Sequence, residues 1–448
     1  MRETHNPQAS IFEFYGEHET GQQLKIISSI LDANPTIIDA ASTVLIKPNT
    51  NETGRNGLTV DSIVRAGLLK QMMGLTYDEL SFYLEDSLSY CTFARVDYLN
   101  GPSKTCLQSC ISKIDAPTWE SINRILLADS AAKGIEKGRM VRIDSTVTES
   151  NIHEPTDSSL LWDCVRVMVR LLHGLKNAIV PGEFYFCDRS RAAKKRMNNI
   201  AYMRGTKKKV KLYKSLLQHT KETKEYLQEA LTKQSHILKL LEFRVLEQEA
   251  LSLIALTEMV ISQTERRVLN GEKVPHQEKV FSIFEPHTDI IIKGARDIKY
   301  GHKLNITTGK SGMVLDVYIE EGNPADAARL CPMIQRQQDI YGRAPRQAAA
   351  DGGYASRDNL REAKEMGVKD VAFHKRRGIK VEDMVKSNWV YKKLYKFRAG
   401  VEGNISCLKR RFGLSRCTWQ GLDKFKAYVW ASSVAYNLLQ LARIQTDI

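Results

Sequence analysis

The chain has 448 residues, with 66 Lys and Arg against 52 Asp and Glu and a formal net charge of +14. Hydrophobic residues at 42% and charged residues at 26% describe a globular protein with room for two or three domains, not a disordered or fibrous chain. The cation excess favours a polyanionic partner, although charge alone does not distinguish nucleic-acid chemistry from a merely basic protein.

The first residues, Met1 to Pro7, contain no apolar signal segment, which predicts a cytoplasmic protein. Leu24 to Ile38 reads as a helix and Asn49 to Gly57 as a loop. Residues 58–133 read as all-helical. A helix from Val60 to Met73 is closed by Gly74. Thr76-Tyr77-Asp78-Glu79 is a capping box, with Thr76 as N-cap and Glu79 three residues into the next helix. That helix runs to Asp86. A break at 86–89 and a helix from Tyr90 to Tyr98 make either a helix-turn-helix or a plain bundle. In the first case Arg95 is the side chain placed to read a guanine in the major groove. Helices from Ser103 to Ile114 and Pro117 to Lys133 follow, then a linker, Gly134 to Gly138.

Met140 to Asp144 is an apolar, β-prone run that ends on an acid, and Ser158 to Leu175 is a helix. Residues 186–214 hold eleven cations, among them Lys207, Lys208 and Lys209, with almost no acids, which predicts phosphate contact. From Val210 to Asn270 there is neither proline nor glycine. Leu212, Leu216, Leu227, Leu231, Leu238, Leu241 and Leu246 predict a helical hairpin or coiled-coil arm. Strands over Asp297 to Thr307 and Met313 to Ile319 flank a glycine-rich turn and read as a hairpin. Beyond it come a helix (Ala325 to Tyr341), a strand ending at Asp351, a helix (Arg357 to Met366) and a strand (Asp370 to Phe373). Two helices close the chain, Asn388 to Phe412 and Gly421 to Ile444. Ser432, Ser433, Asn437 and Gln440 interrupt the apolar stretch of the second, so it is expected in the core and not in a membrane. The eight cysteines lack zinc-ligand spacing and are expected to be reduced thiols.

Three acids stand on three separate elements: Asp144 and Asp351 at strand ends, Glu402 on a helix. Three carboxylates so placed can hold two divalent metals, which clamp the attacking and leaving oxygens of a phosphoryl transfer. On the Glu402 helix, Tyr395, Arg398, Glu402 and Lys409 fall at about 0°, 300°, 340° and 320°, one narrow stripe. Such a stripe is either a site where a metal ligand and phosphate-binding cations point together, or a solvated face with an Arg398–Glu402 ion pair.

The spacing Tyr-x2-Arg-x3-Glu-x6-Lys resembles the signature around the third acid of DDE transposases of bacterial insertion sequences. Ile143 to Ser150 and its sequel through Leu161 resemble the first-acid motif of that family. Ala350-Asp351-Gly352-Gly353-Tyr354 resembles the second-acid motif, and Tyr300 to Leu304 with Glu321 to Pro324 is similarly familiar. The matched segments span roughly residues 57–160 and 280–445.

The resemblance implies an α/β fold: a ribonuclease-H-like catalytic core with an N-terminal all-helical domain and a long helical insertion after the first catalytic strand. The expected division is 1–135 as a helical, DNA-binding domain, 136–154 with 286–448 as the catalytic domain, and 155–285 as a basic, helical insertion. Asp144, Asp351 and Glu402 become the catalytic acids and ligands of two Mg²⁺ ions, with Mn²⁺ an alternative. Tyr395, Arg398 and Lys409 become DNA contacts, and His302 and His374 lie near strand ends. The implied partners are duplex DNA, terminal inverted repeats and target DNA, handled by a homodimer or larger complex at the nucleoid. Two readings stay open beside strand transfer: a nuclease that cuts without joining, and a DNA-binding protein without catalysis.

Overall fold

The computed structural model describes residues 4, 15–46, 57–97, 100–178, 184–233, 244–293 and 297–446. The expected loop at 49–56, Tyr98, Leu238, Leu241 and nearly all of the first seven residues lie outside the described residues. The chain divides into two compact units, residues 1–150 with 301–448, and residues 151–300.

The first unit opens with helices α1 (Glu19–Asp32) and α2 (Thr36–Leu45). The single helix expected over 24–38 is therefore two. Pro35 caps α2 and lacks the amide that a continuous helix needs there. Next come α3 (Val60–Met73), α4 (Tyr77–Asp86), α5 (Leu88–Ala94), α6 (Lys104–Ile111) and α7 (Ala116–Ala132). Gly74 ends α3 with φ 66°, a left-handed conformation that suits glycine. The capping box at Thr76 and Glu79 forms as expected. The break between α4 and α5 is one residue, Ser87, which caps both.

Strand β1 (Met140–Glu149) runs five residues past Asp144, so the acid sits mid-strand and not at its end. β2 (Asp289–Lys293) was not expected. β3 (Asp297–Thr308) and β4 (Val314–Ile319) are the expected hairpin. β5 (Gln347–Ala350) and β6 (Asp370–Phe373) complete a six-stranded sheet ordered β2-β3-β1-β5-β6, with β4 also on β3. β1 pairs antiparallel with β3 and parallel with β5, and β5 is parallel to β6. The fold is mixed α/β.

The helices expected to form a separate N-terminal domain pack into the same unit as the sheet. The reason is the last helix, Leu422–Thr446, which is buried on nearly every face and packs against α1, α3, α7 and β4. Asn437 ties it down: its Oδ1 accepts from the Val314 amide at 2.7 Å, and its Nδ2 donates to the Asn123 side chain of α7 at 2.7 Å. A helix apolar all round needs partners all round.

The second unit holds helices α8 (Asp157–Ala178), α9 (Ser190–Tyr202), α10 (Thr206–Lys233) and α11 (Arg244–Thr264). It begins at 151 and ends at 300, wider than the expected insertion. Leu216, Leu227 and Leu231 are buried with Leu161, Met168 and Leu172 of α8 and Val260 of α11. The leucine stripe therefore serves a packed bundle with its own core, where a hairpin or coiled-coil arm was expected. Among the described residues no helix is long and apolar enough to cross a membrane. All eight cysteines are free, five of them buried.

Candidate active site

The sheet register brings the first two acids together. Ile143 of β1 pairs with Ala350 of β5 in parallel. The next residue on each strand is an acid, Asp144 and Asp351, so both are delivered side by side. Asp351 caps the short turn Gly352–Tyr354, where β5 has ended. That turn needs its glycines: a Cβ on Gly352 would lie 2.6 Å from Cβ of Lys375, and one on Gly353 2.7 Å from the Asp326 carboxylate. Tyr354 is buried and donates to Asn305 Oδ1 at 2.5 Å. Burial holds its phenol well above the ordinary range, so it stays a neutral donor.

The third acid arrives on a helix clamped to β1. This helix, Asn388–Arg411, carries Tyr395, Arg398, Glu402 and Lys409. Arg142, two residues before Asp144 on β1, donates to the Phe397 carbonyl at 2.8 Å, to Asn404 Oδ1 at 2.5 Å and to Thr308 Oγ1 at 2.9 Å. Its guanidinium also lies 4.7 Å from the centre of the Phe397 ring. Gly400 lets the helix come this close, because a Cβ there would meet Arg142 Nη1 at 2.2 Å. Arg142 and Asn404 were missed from the sequence. A period-two reading of β1 puts Arg142 on the face of Asp144, and that was the available signal.

The three acids converge on one cation. Nη2 of Arg398 lies 2.9 Å from Asp144 Oδ2 and 3.5 Å from Asp351 Oδ1, while Nη1 lies 2.7 Å from Glu402 Oε1. Arg398 is nearly buried, whereas Glu402 is 68% exposed, so the cluster opens to solvent on the Glu402 side. The expected Arg398–Glu402 pair is present, but it belongs to this cluster and not to a solvated face. Tyr395 stacks on His374 with ring centres 4.4 Å apart and its hydroxyl 3.2 Å from His374 Nε2. The His374 amide donates to the Ala350 carbonyl, which sets this pair beside Asp351. His302 is different: it is buried, 3.3 Å from the Glu320 carbonyl and edge-on to Phe425. Lys409 lies seven residues beyond Glu402, about 10 Å along the helix.

Two other groups of expected contacts lie elsewhere. Lys207, Lys208 and Lys209 fall in the first turn of α10, with the first two exposed. Several cations of that run are engaged internally: Arg189 with Glu222 at 3.2 Å, Arg196 with Ser215 at 3.1 Å. Arg95 departs from the expected position on a reading helix. It does not stand on a helix but caps α5 in a left-handed conformation, φ 52°. Its guanidinium is held by Asp61 at 2.8 Å and Asp32 at 2.7 Å, beside the buried Arg65 that binds the same two acids.

Residues 284–438 match the family of the transposase DDE domain. This stretch is similar to a transposase DDE domain. The matched stretch contains Asp351, Tyr395, Arg398, Glu402 and Lys409 but does not include β1 and Asp144. No curated protein matches the chain, and no solved structure does. The family consists of polynucleotidyl transferases that act on DNA, generally with divalent metals. Among the described residues no group of three His, Cys, Asp or Glu side chains stands poised to hold a metal ion. The donor set nonetheless fits a hard divalent cation. Three carboxylates from three rigid elements already surround a cation, and over these four groups alone the charge is three negative against one positive.

Proposed function

We propose that this chain cuts DNA at the ends of an insertion sequence and joins those ends to a target, by a cut-and-paste route. The observation that carries the reading is the convergence of Asp144, Asp351 and Glu402 on the single guanidinium of Arg398. Like charges gathered around one cation repel one another, which is sensible where further positive charge is to be bound. The sheet order and strand directions support the ribonuclease-H-like reading of the core.

In the first step water attacks a phosphodiester at the element end and the bond to the 3′-oxygen breaks, leaving a 3′-hydroxyl and a 5′-phosphate. In the second, that hydroxyl attacks a target phosphodiester and displaces the target strand's 3′-oxygen. Two Mg²⁺ ions, or Mn²⁺, held by Asp144, Asp351 and Glu402 would supply Lewis-acid activation of the attacking oxygen and charge stabilisation of the leaving one. Arg398 balances the acids in the free chain and turns to a phosphate oxygen once they are otherwise neutralised. Tyr395, braced by His374, keeps an exposed ring to stack on a displaced base or bond a phosphate. Lys409 contacts a phosphate further along. The lysines of α10 add sequence-independent affinity, which the positive end of the helix dipole reinforces. Two element ends held together call for at least a dimer, working in the cytoplasm at the nucleoid.

A strand-transfer assay tests this reading. The full chain is incubated with Mg²⁺, a labelled duplex bearing the element's terminal repeat, and a supercoiled target. Joined product that vanishes with a chelator supports transposition. Nicked repeat without joined product would mean a nuclease, and bound but uncut repeat a DNA-binding protein.

A further inference from the structure

A cavity of about 360 Å³ lies in the first unit, between the α3–α4 turn and the segment after the Glu402 helix. Its floor is Lys70, 5% exposed and in the last turn of α3. Among the described residues its ammonium has no hydrogen-bond acceptor and no ion pair. It has only aromatic faces, Tyr77 at 4.8 Å and Trp419 at 6.0 Å. The nearby Glu79 carboxylate is committed to the Thr76 amide at 2.7 Å, and the Cys417 thiol donates to the Trp419 carbonyl. Ser415, Thr418 and Arg416 line the cavity, with Arg416 half-exposed and 3.7 Å from Glu149.

We propose that this cavity binds a phosphate group, with Lys70 as its buried cation and Arg416 as the cation that meets the ligand first. A buried charge without an acceptor is costly, and cation–π contact offsets only part of that. The remaining deficit is the kind that an oxyanion removes, since it brings the acceptors the ammonium lacks. Burial lowers the Lys70 pKa to about 8, and a bound anion would raise it again. Ser415 and Thr418 bring hydroxyls to the cavity, and each would turn from an internal partner, the Lys409 carbonyl or Tyr428, to donate to a phosphate. The position suits DNA as the carrier. Phe412, which lines the cavity, lies ten residues beyond Glu402, about 15 Å along the helix axis. At about 3.4 Å of rise per base step, a strand lying at the acids reaches this point within a few nucleotides. Free phosphate has the same chemistry and is the other source.

The site goes beyond the proposed reaction and requires no catalysis, so it is tested without metal. The full chain is acetylated near pH 8 with a small amine-reactive ester, and modification is followed by peptide mass spectrometry at Lys70 and at the exposed Lys25. The additions are inorganic phosphate, chloride at matched ionic strength, or a random-sequence duplex. Phosphate should slow labelling of Lys70 several-fold against chloride and leave Lys25 unchanged, and Arg416→Gln should weaken that protection. Protection by duplex and not by phosphate, lost in Arg416→Gln, would assign the site to a backbone phosphodiester. Three results would overturn the proposal: no labelling of Lys70 without ligand, no protection by either additive, or duplex protection undiminished in Arg416→Gln. None of these depends on strand transfer, so failure here and failure of the catalytic reading are separable.

Discussion

Arg398 reaches from its helix across to the central strand and donates to Asp144 at 2.9 Å, so the residue expected to meet DNA is the counter-ion of the acids. In the free chain it stands in for positive charge that the reaction requires. The same guanidinium therefore competes with any cation bound there. Arg398→Gln should lower the melting temperature in chelator, where the acids then repel one another, and enlarge the rise in melting temperature on adding Mg²⁺. Differential scanning fluorimetry with and without Mg²⁺ measures both. An unchanged Mg²⁺ response would mean that Arg398 and the metal do not share the acids.

Gly400 is a point of close approach between the Glu402 helix and β1. The Arg142 Nη1 it faces donates to the Phe397 carbonyl while Nη2 donates to Asn404, so the guanidinium is pinned and an added methyl must push the helix away. Gly400→Ala should cost about 1–3 kcal/mol of stability, as overpacking does. It should also lower the rate of cleavage far more than the affinity for duplex, because small misplacements of reacting groups are expensive. Equal losses in both, measured by single-turnover cleavage and fluorescence anisotropy, would show that Gly400 does not position Glu402.

Arg95 now carries a prediction about stability. Removing it leaves the buried Asp61 with one partner fewer, a loss of about 1–3 kcal/mol. Arg95→Ala should melt earlier and keep the preference of the chain for terminal-repeat over random DNA. A narrowed preference at unchanged melting temperature would restore Arg95 to base recognition.

Lys207, Lys208 and Lys209 stand at the N-terminal end of α10, where the helix dipole adds to their charge. Replacing all three by Gln should weaken specific and random duplex alike. The slope of log affinity against log salt should flatten by about 0.9 for each phosphate that is no longer neutralised. Affinity measured across a salt series gives the slope, and an identical slope would leave these lysines as solvent-facing charge.

Local signals were the ones that could be read from the chain. Thr76 and Glu79 form their capping box because four residues suffice to define it, and Gly74 closes α3 for the same reason. The three acids could be found because each sits in a short, distinctive segment. Their common counter-ion could not: Arg398 looked like half of a helix ion pair, and only the register of Ile143 with Ala350 brings two more carboxylates to it. The clamp from Arg142 to Asn404 spans 262 residues and leaves no local trace. Arg95 was misplaced because its left-handed cap is stabilised by acids 34 and 63 residues away, not by helix propensity. In the sequence the N-terminal helices read as a separate domain, since the last helix they pack against lies at the other end of the chain.

Cleavage of a terminal-repeat duplex in Mg²⁺ by Glu402→Ala tests the three-acid mechanism most directly. Glu402 is exposed and its removal leaves the core intact, so loss of activity there cannot be put down to unfolding. Nicking and joining should both fall by at least about 10²-fold, the scale at which losing one preorganised charge-stabilising group acts. Duplex affinity should hold, because carboxylates repel phosphate. Nicking at the wild-type rate would contradict the account.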